Sequence, residues 1–162
     1  MKTLQLLLTL FTLLSLAPLI LTAQDAPPSY GPAITLEQAK KVAAAAEAEA
    51  RKNKWNMFIF IVDSATNPVL MQRMDDAQLG SLHVAQQKAY TAAAFRRPTK
   101  VFEDLVANGG VGLRTLGNDQ IMPIEGGLPI LVNGKVIGAI GVSGGTSQQD
   151  GVVAKAGVDA LK

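Results

Sequence analysis

Residues 126–145 read GGLPILVNGKVIGAIGVSGG. Two apolar, β-branched runs, Leu128–Val132 and Lys135–Ser143, flank the pair Asn133-Gly134. Asn and Gly tolerate the positive φ that a two-residue hairpin turn demands, so the runs are read as antiparallel neighbours. Just upstream, QIMPIEGG (residues 120–127) reads as one more strand. Downstream, GGTSQQD leads into a last helix that ends near Leu161, with Ser147 and Asp150 as alternative caps.

The segment NMFIFIV, Asn56 to Val62, is too short for a helix and apolar on both sides, as suits a strand inside a covered sheet. Asp63 and Asn67 supply turn chemistry in DSATNP, and Val69 to Met74 returns as the second strand of a hairpin. Ser81 to Phe95 has helical spacing, with Leu82, Ala85, Ala89 and Ala92 forming a small-residue stripe for close packing on a sheet. Arg97-Pro98 ends that helix. Thr99 then caps a shorter one over Lys100 to Ala107, before the glycine-rich loop NGGVGLRTLGND. Near the start, TLEQ at Thr35 forms a capping box for an Ala-rich helix that runs to Lys52, with Glu47 and Arg51 paired on its solvated face. The order is helix, two strands, helix, short helix, three strands, helix. It predicts an α/β (α+β) domain in which helices flank an antiparallel sheet.

A chain of 162 residues accommodates one such domain and is short for two. Fifteen Lys and Arg face thirteen Asp and Glu, a formal charge of +2, and no run of five like charges is present. Nucleic acid is therefore not an expected partner. The absence of Cys excludes a disulfide framework, thiolate catalysis and Fe–S ligation, and a single His excludes His-rich metal sites within one chain.

Lys2 precedes an uncharged run from Thr3 to Gln24, and LLLTLFTLLSLAPLILTA inside it is an apolar h-region ending in small residues. Residues 1–23 thus read as a secretory signal peptide cleaved after Ala23, the alternative being a retained membrane anchor. Either places the folded part outside the cytoplasm, in a periplasmic or secreted location. Residues 24–34, QDAPPSYGPAI, read as an extended Pro-rich linker, and residues 35–162 as the domain.

Gly141-Val142-Ser143-Gly144-Gly145 matches G-x-S-x-G, but the only His, His83, precedes the serine and the neighbouring strands are antiparallel, so a hydrolase elbow is rejected. The clusters at Gly109–Gly112 and Gly126-Gly127 match no nucleotide motif. On its helix His83 shares a face with Gln87 and Tyr90. It is read either as an axial ligand to a haem iron, which needs only one or two protein ligands, or as a surface residue. Tyr90, Tyr30, Met57, Met71, Met74 and Met122 are further candidates for iron. Arg73, Lys88, Arg96 and Arg97 are able to meet the carboxylates of a ligand, the alternative being salt bridges among themselves and nearby acids. Asp75 and Asp76 are adjacent and point to opposite sides, which argues against an acid/base dyad.

The segments IVDSATNPVLMQRMDDA, LGSLHVAQQKAYTAAAFRRPT, PIEGGLPILVNGKVIGAIGVSGG and AGVDAL occur in an order that resembles the GlcG/HbpS family of haem-binding proteins, also found as the C-terminal domain of some cobalamin adenosyltransferases. The likeness covers about residues 34–161. It implies a profilin-like, three-layer α/β/α fold, homo-oligomers, and tetrapyrrole binding in secreted members with roles in haem sensing, storage or degradation. Arg73, Lys88, Gly126 and Gly127 are among the positions that match the family's motifs, whereas His83 lies outside them. With His83, Tyr90 and Arg97 they form the expected haem-binding set, His83 being the expected metal ligand. The main expectation is therefore a secreted, oligomeric protein that shelters haem and meets its propionates through Arg73, Lys88 or Arg97. Two other readings stand beside it: an enzyme acting on a small glycolate-related carboxylate with Lys88 and Asp75 as acid/base groups, and a non-catalytic oligomeric module that partners a membrane sensor.

Overall fold

The computed structural model describes residues 26–162, so the signal peptide reading and the first two linker residues lie outside the described part. The elements are α1 (Leu36–Lys52), β1 (Phe58–Asp63), β2 (Pro68–Arg73), α2 (Ser81–Phe95), α3 (Lys100–Ala107), a 3-10 helix (Gly110–Gly117), β3 (Gly127–Val132), β4 (Lys135–Ser143) and α4 (Ser147–Asp159). The strands form one sheet in the order β2-β1-β4-β3. All three pairings are antiparallel, β4 lying between β1 (Phe58 opposite Ser143) and β3 (Gly127 opposite Gly141). Asn133 and Gly134 take φ of 51° and 72°, the left-handed pair that the β3–β4 turn requires.

The strand expected over residues 120–126 does not form. Pro123 lacks a donor, and the neighbouring amides go to side chains instead: Met122 N–H donates to Thr91 Oγ1 (2.9 Å) and Glu125 N–H to Glu103 Oε2 (2.6 Å). The glycine-rich loop also departs from the expectation, because residues 110–117 wind into the 3-10 helix. At α4 the cap is Thr146, whose hydroxyl accepts from Gln149 N–H at 3.3 Å while Gln149 Oε1 accepts from Thr146 N–H at 3.0 Å. Neither Ser147 nor Asp150 caps it. TSQQ is the capping box, one residue earlier than read, and the Asp150 carboxylate is turned into the protein. At α1 the Thr35 capping box is present.

Helices cover both sides of the sheet, giving the expected three layers. On one side α1 and α4 bury Val42, Ala46, Val153 and Ala154 against Ile59, Ile61, Ile140 and Val142. On the other, α2 lies across β1, β4 and β3 and brings Ala85, Ala89, Ala92 and Ala93 onto Phe58, Phe60 and Ala139. The helix comes this close because its floor is made of glycine. A Cβ on Gly141 would lie 2.0 Å from the Ala85 carbonyl oxygen, and one on Gly127 would lie 2.5 Å from that of Lys88. Leu82 is not part of the stripe; it is exposed.

The later part of the segment read as a linker is extended but bonded to the domain. Gly31 N–H donates to Val136 O (2.8 Å), Val136 N–H to Ser29 O (2.9 Å) and Ile34 N–H to Ile137 O (2.8 Å), so the segment runs beside β4 beyond the end of β1. The Tyr30 hydroxyl lies 3.0 Å from Ala93 O and 2.9 Å from Ala94 O, at the C-terminal end of α2. Arg96 covers the Tyr30 ring and donates to Pro28 O at 3.1 Å. Among the described residues no helix is long and apolar enough to cross a membrane.

Candidate functional site

Two groups of expected site residues emerge, one interior and one at the surface. In the interior Lys88 is fully buried, with Nζ 2.6 Å from Asp150 Oδ2 and donating to Val142 O at 3.1 Å. The other carboxylate oxygen of Asp150 accepts from Gly145 N–H at 3.0 Å. Gly126 closes the pocket: its φ of 122° suits glycine, and a Cβ there would meet Asp150 Cβ at 2.7 Å, Val142 O at 2.8 Å and Lys88 Nζ at 2.9 Å. Burial pulls the Lys88 pKa down against the attraction of Asp150, and pushes that of Asp150 up against the attraction of Lys88. Beside it, Gly127 N–H donates to the Thr99 hydroxyl at 2.9 Å and Thr99 N–H to Gly127 O at 3.0 Å. The Thr99 side chain therefore clamps β3 rather than capping α3.

This arrangement corrects two expectations. Lys88 does not reach solvent, so it is not a tether for a ligand's carboxylate. Its acid partner is Asp150 and not Asp75, which is exposed beyond the end of β2. Gly126 and Gly127 serve packing around the ion pair, with no free surface for a ligand. Asp150 was legible in one respect that the cap reading passed over. With Val153, Ala154 and Gly157 it occupies i, i+3, i+4 and i+7, the buried stripe of α4, where an acid needs a cation.

The surface group lies at the start of α2. Arg73, Phe58 and Ser143 are successive cross-strand neighbours on β2, β1 and β4. The Ser143 hydroxyl donates to that of Ser81 at 3.2 Å, and Ser81 opens the first turn of α2, which carries His83. The register thus brings Arg73 and His83 to one end of the sheet. His83 is exposed, and so are its neighbours Leu82 and Leu79, the latter by 74%. Arg73 Cζ stands 5.9 Å from the centre of the Phe58 ring and forms no ion pair among the described residues.

The remaining candidates lie elsewhere. Tyr90 is half-buried two turns along α2, with its hydroxyl 3.4 Å from Gln120 Oε1. Arg97 follows the last turn of α2, roughly 18 Å of helix from His83 at the usual rise per residue, and its guanidinium covers the Phe102 ring. Tyr30 is engaged at the end of α2. Met57 and Met74 are in the core, Met122 is half-buried, and Met71 is exposed on β2, two residues before Arg73 and on the same face. No group of three or more His, Cys, Asp or Glu able to hold a bare metal ion occurs among the described residues. The donor set at the start of α2 fits haem instead: one accessible imidazole, exposed leucines for a flat apolar ring, and a guanidinium in no ion pair among the described residues for a propionate.

Comparison with known proteins agrees with this fold. The chain is 44% identical over 128 residues to an uncharacterized 15.0 kDa protein of the dhaT-dhaS intergenic region of Citrobacter freundii, covering 78% of this chain and 90% of that one. It is 39% identical over 110 residues to Protein GlcG of Escherichia coli K12, covering 68% of this chain and 81% of that one. Among solved structures, a PduOC:heme complex superposes with a TM-score of 0.73 at 28% identity, covering 80% of this chain and 96% of the other. The family described as "Haem degrading protein HbpS-like" matches residues 34–159, nearly the whole of the described domain, and the chain belongs to that family.

Proposed function

We propose that the protein is an exported, homo-oligomeric haem-binding protein that holds its ligand at the N-terminal end of α2 and serves haem sensing, storage or degradation. The observation that carries this is the exposed His83 directly after the exposed Leu82 and four residues after the exposed Leu79, with Arg73, which forms no ion pair among the described residues, at the same end of the sheet. The heme complex of a structural relative supports the ligand class.

Each residue has a distinct task in this reading. Leu79 and Leu82 give the macrocycle an apolar shelf, whose burial supplies most of the affinity at roughly 25 cal/mol per Å². His83 offers a ring nitrogen to the iron, and Arg73 donates charge-assisted hydrogen bonds to a propionate. Haem itself, when bound, supplies the iron redox chemistry. The enzyme reading on a small carboxylate loses its acid/base pair, since Lys88 is closed off with Asp150.

Titration of the exported protein with hemin tests the proposal. A saturable Soret shift is expected. His83→Ala is expected to change the spectrum of the complex, and Arg73→Gln to weaken binding about tenfold, near 1.4 kcal/mol. A free-hemin spectrum in excess protein would falsify haem binding, whereas an unaltered complex in His83→Ala removes only the assigned ligand.

A further inference from the structure

Asn stands directly before Gly at two places, Asn108-Gly109 and Asn133-Gly134, and both asparagines are exposed. Glycine has no side chain to hinder its amide nitrogen, and closure of that nitrogen onto the preceding Asn Cγ makes a five-membered ring. A Cβ added at Gly109 or at Gly134 would meet nothing within 4 Å, so neither joint is shielded by the fold. What separates the two is the cost of freeing the backbone.

Asn133 and Gly134 form the β3–β4 turn, pinned by the pairing of Val132 with Lys135 and by Val136, which is fully buried and donates to Ser29 O. Turning that peptide means parting the hairpin. Asn108 instead ends α3 with φ of −74° and ψ of −10°, at the joint with the 3-10 helix. Ring closure there requires that ψ turn away from its helical value and that Gly109 N–H leave Val106 O, 3.0 Å away. α3 and the 3-10 helix form a lobe in which the two pack chiefly on each other, and Phe102 is the only residue they bury. Segments with so little burial open at a small free-energy cost.

We propose that Asn108-Gly109 is a site of spontaneous backbone modification, converting to aspartate and iso-aspartate in the folded protein while Asn133-Gly134 stays intact. Gly109 N gives its proton to hydroxide and attacks Asn108 Cγ; the side-chain nitrogen leaves as ammonia, and a succinimide remains. Water then adds to either ring carbonyl, so one water is consumed for each ammonia released and no electrons are exchanged. Either product places a carboxylate at the C-terminal end of α3, four residues after Asp104, where the helix dipole opposes it. Iso-aspartate also adds a methylene to the main chain. The joint has no slack to absorb it, since a Cβ on Gly112 would lie 1.9 Å from the Leu105 carbonyl oxygen. The 3-10 helix is thereby released from α3. Haem takes no part in these steps.

Ageing of the protein, purified after expression of the full chain, in heavy-oxygen water at mildly alkaline pH tests this. Trypsin separates the two sites, residues 101–114 carrying Asn108 and residues 115–135 carrying Asn133, and fragment masses locate the change. Asn108 is expected to take up heavy oxygen, with resolved aspartate and iso-aspartate forms, at least about tenfold faster than Asn133. In protein unfolded by urea the two rates should converge. Asn108→Gln, whose ring would have to be six-membered, is expected to abolish the change in residues 101–114. Amide exchange over residues 101–117 should speed up in aged wild type and not in that variant. Folded wild type that keeps Asn108 unchanged, or that converts Asn133 as fast, overturns the proposal. A rate difference that persists in urea overturns the role given to the fold, and conversion without faster exchange overturns release of the 3-10 helix.

Discussion

Lys88 and Asp150 show how a single buried residue sets the requirements of its neighbours. Each charge loses water on burial, and the 2.6 Å contact together with Val142 O and Gly145 N–H offsets part of that cost. Removing one partner leaves the other charge alone, so Lys88→Met is expected to cost about 3–5 kcal/mol in urea unfolding. Lys88→Met with Asp150→Leu should recover most of the loss; equal losses in the single and double variants would show that the pair is not the cause. At this scale the sequence disclosed residue types and not partners. Lys88 stood out as a cation, but its sequence neighbourhood gave no sign that a residue sixty-two positions away would neutralise it. Arg73 and His83 likewise come to one end of the sheet through strand register and the Ser143–Ser81 bond, which no spacing along the chain expresses.

Among elements, contacts between helix and strand decide more than helix propensity does. Glu47 on α1 accepts from Arg51 Nε at 2.6 Å and also from the Gln72 amide of β2, joining the first helix to the edge strand. Bonds to Arg51 and then to Gln72 hold the Glu47 carboxyl below its ordinary 4.5. A lowered folded pKa means that the stabilisation is complete above the unfolded value and disappears as pH falls through the folded one. Glu47→Gln is therefore expected to lower stability by at most about 1 kcal/mol at pH 7, with the difference vanishing at strongly acid pH. Thermal unfolding of both proteins across that range checks the sign; a difference that grows toward acid contradicts it. The Glu47–Arg51 spacing was legible because it is local, whereas Gln72 entered only through the packing of α1 on the sheet. The missing strand over 120–126 has the same origin: Thr91 and Glu103 capture amides that an alternating pattern assigns to a ladder.

For the molecule as a whole, stability is concentrated where the sheet is covered on both sides. β1 and β4 lie between two layers of helices, while the lobe of α3 and the 3-10 helix adds one buried side chain. Amides of residues 101–117 are therefore expected to exchange with solvent well before those of β1 and β4, and hydrogen exchange measured on isolated subunits checks this. Equal protection in the two regions would mean that the lobe belongs to the cooperative core. The sequence by itself determined the antiparallel hairpins, the capped first helix and the small-residue helix, because turn chemistry, caps and apolar period act over a few residues. It also carried the family resemblance. Tertiary structure alone decided that α2 rests on Gly127 and Gly141, that Lys88 belongs to Asp150, that Ser29–Ile34 is bonded along β4, and that Arg73 and His83 share one end. Those outcomes depend on contacts between residues far apart in the chain, and such contacts exist only once the layers have closed.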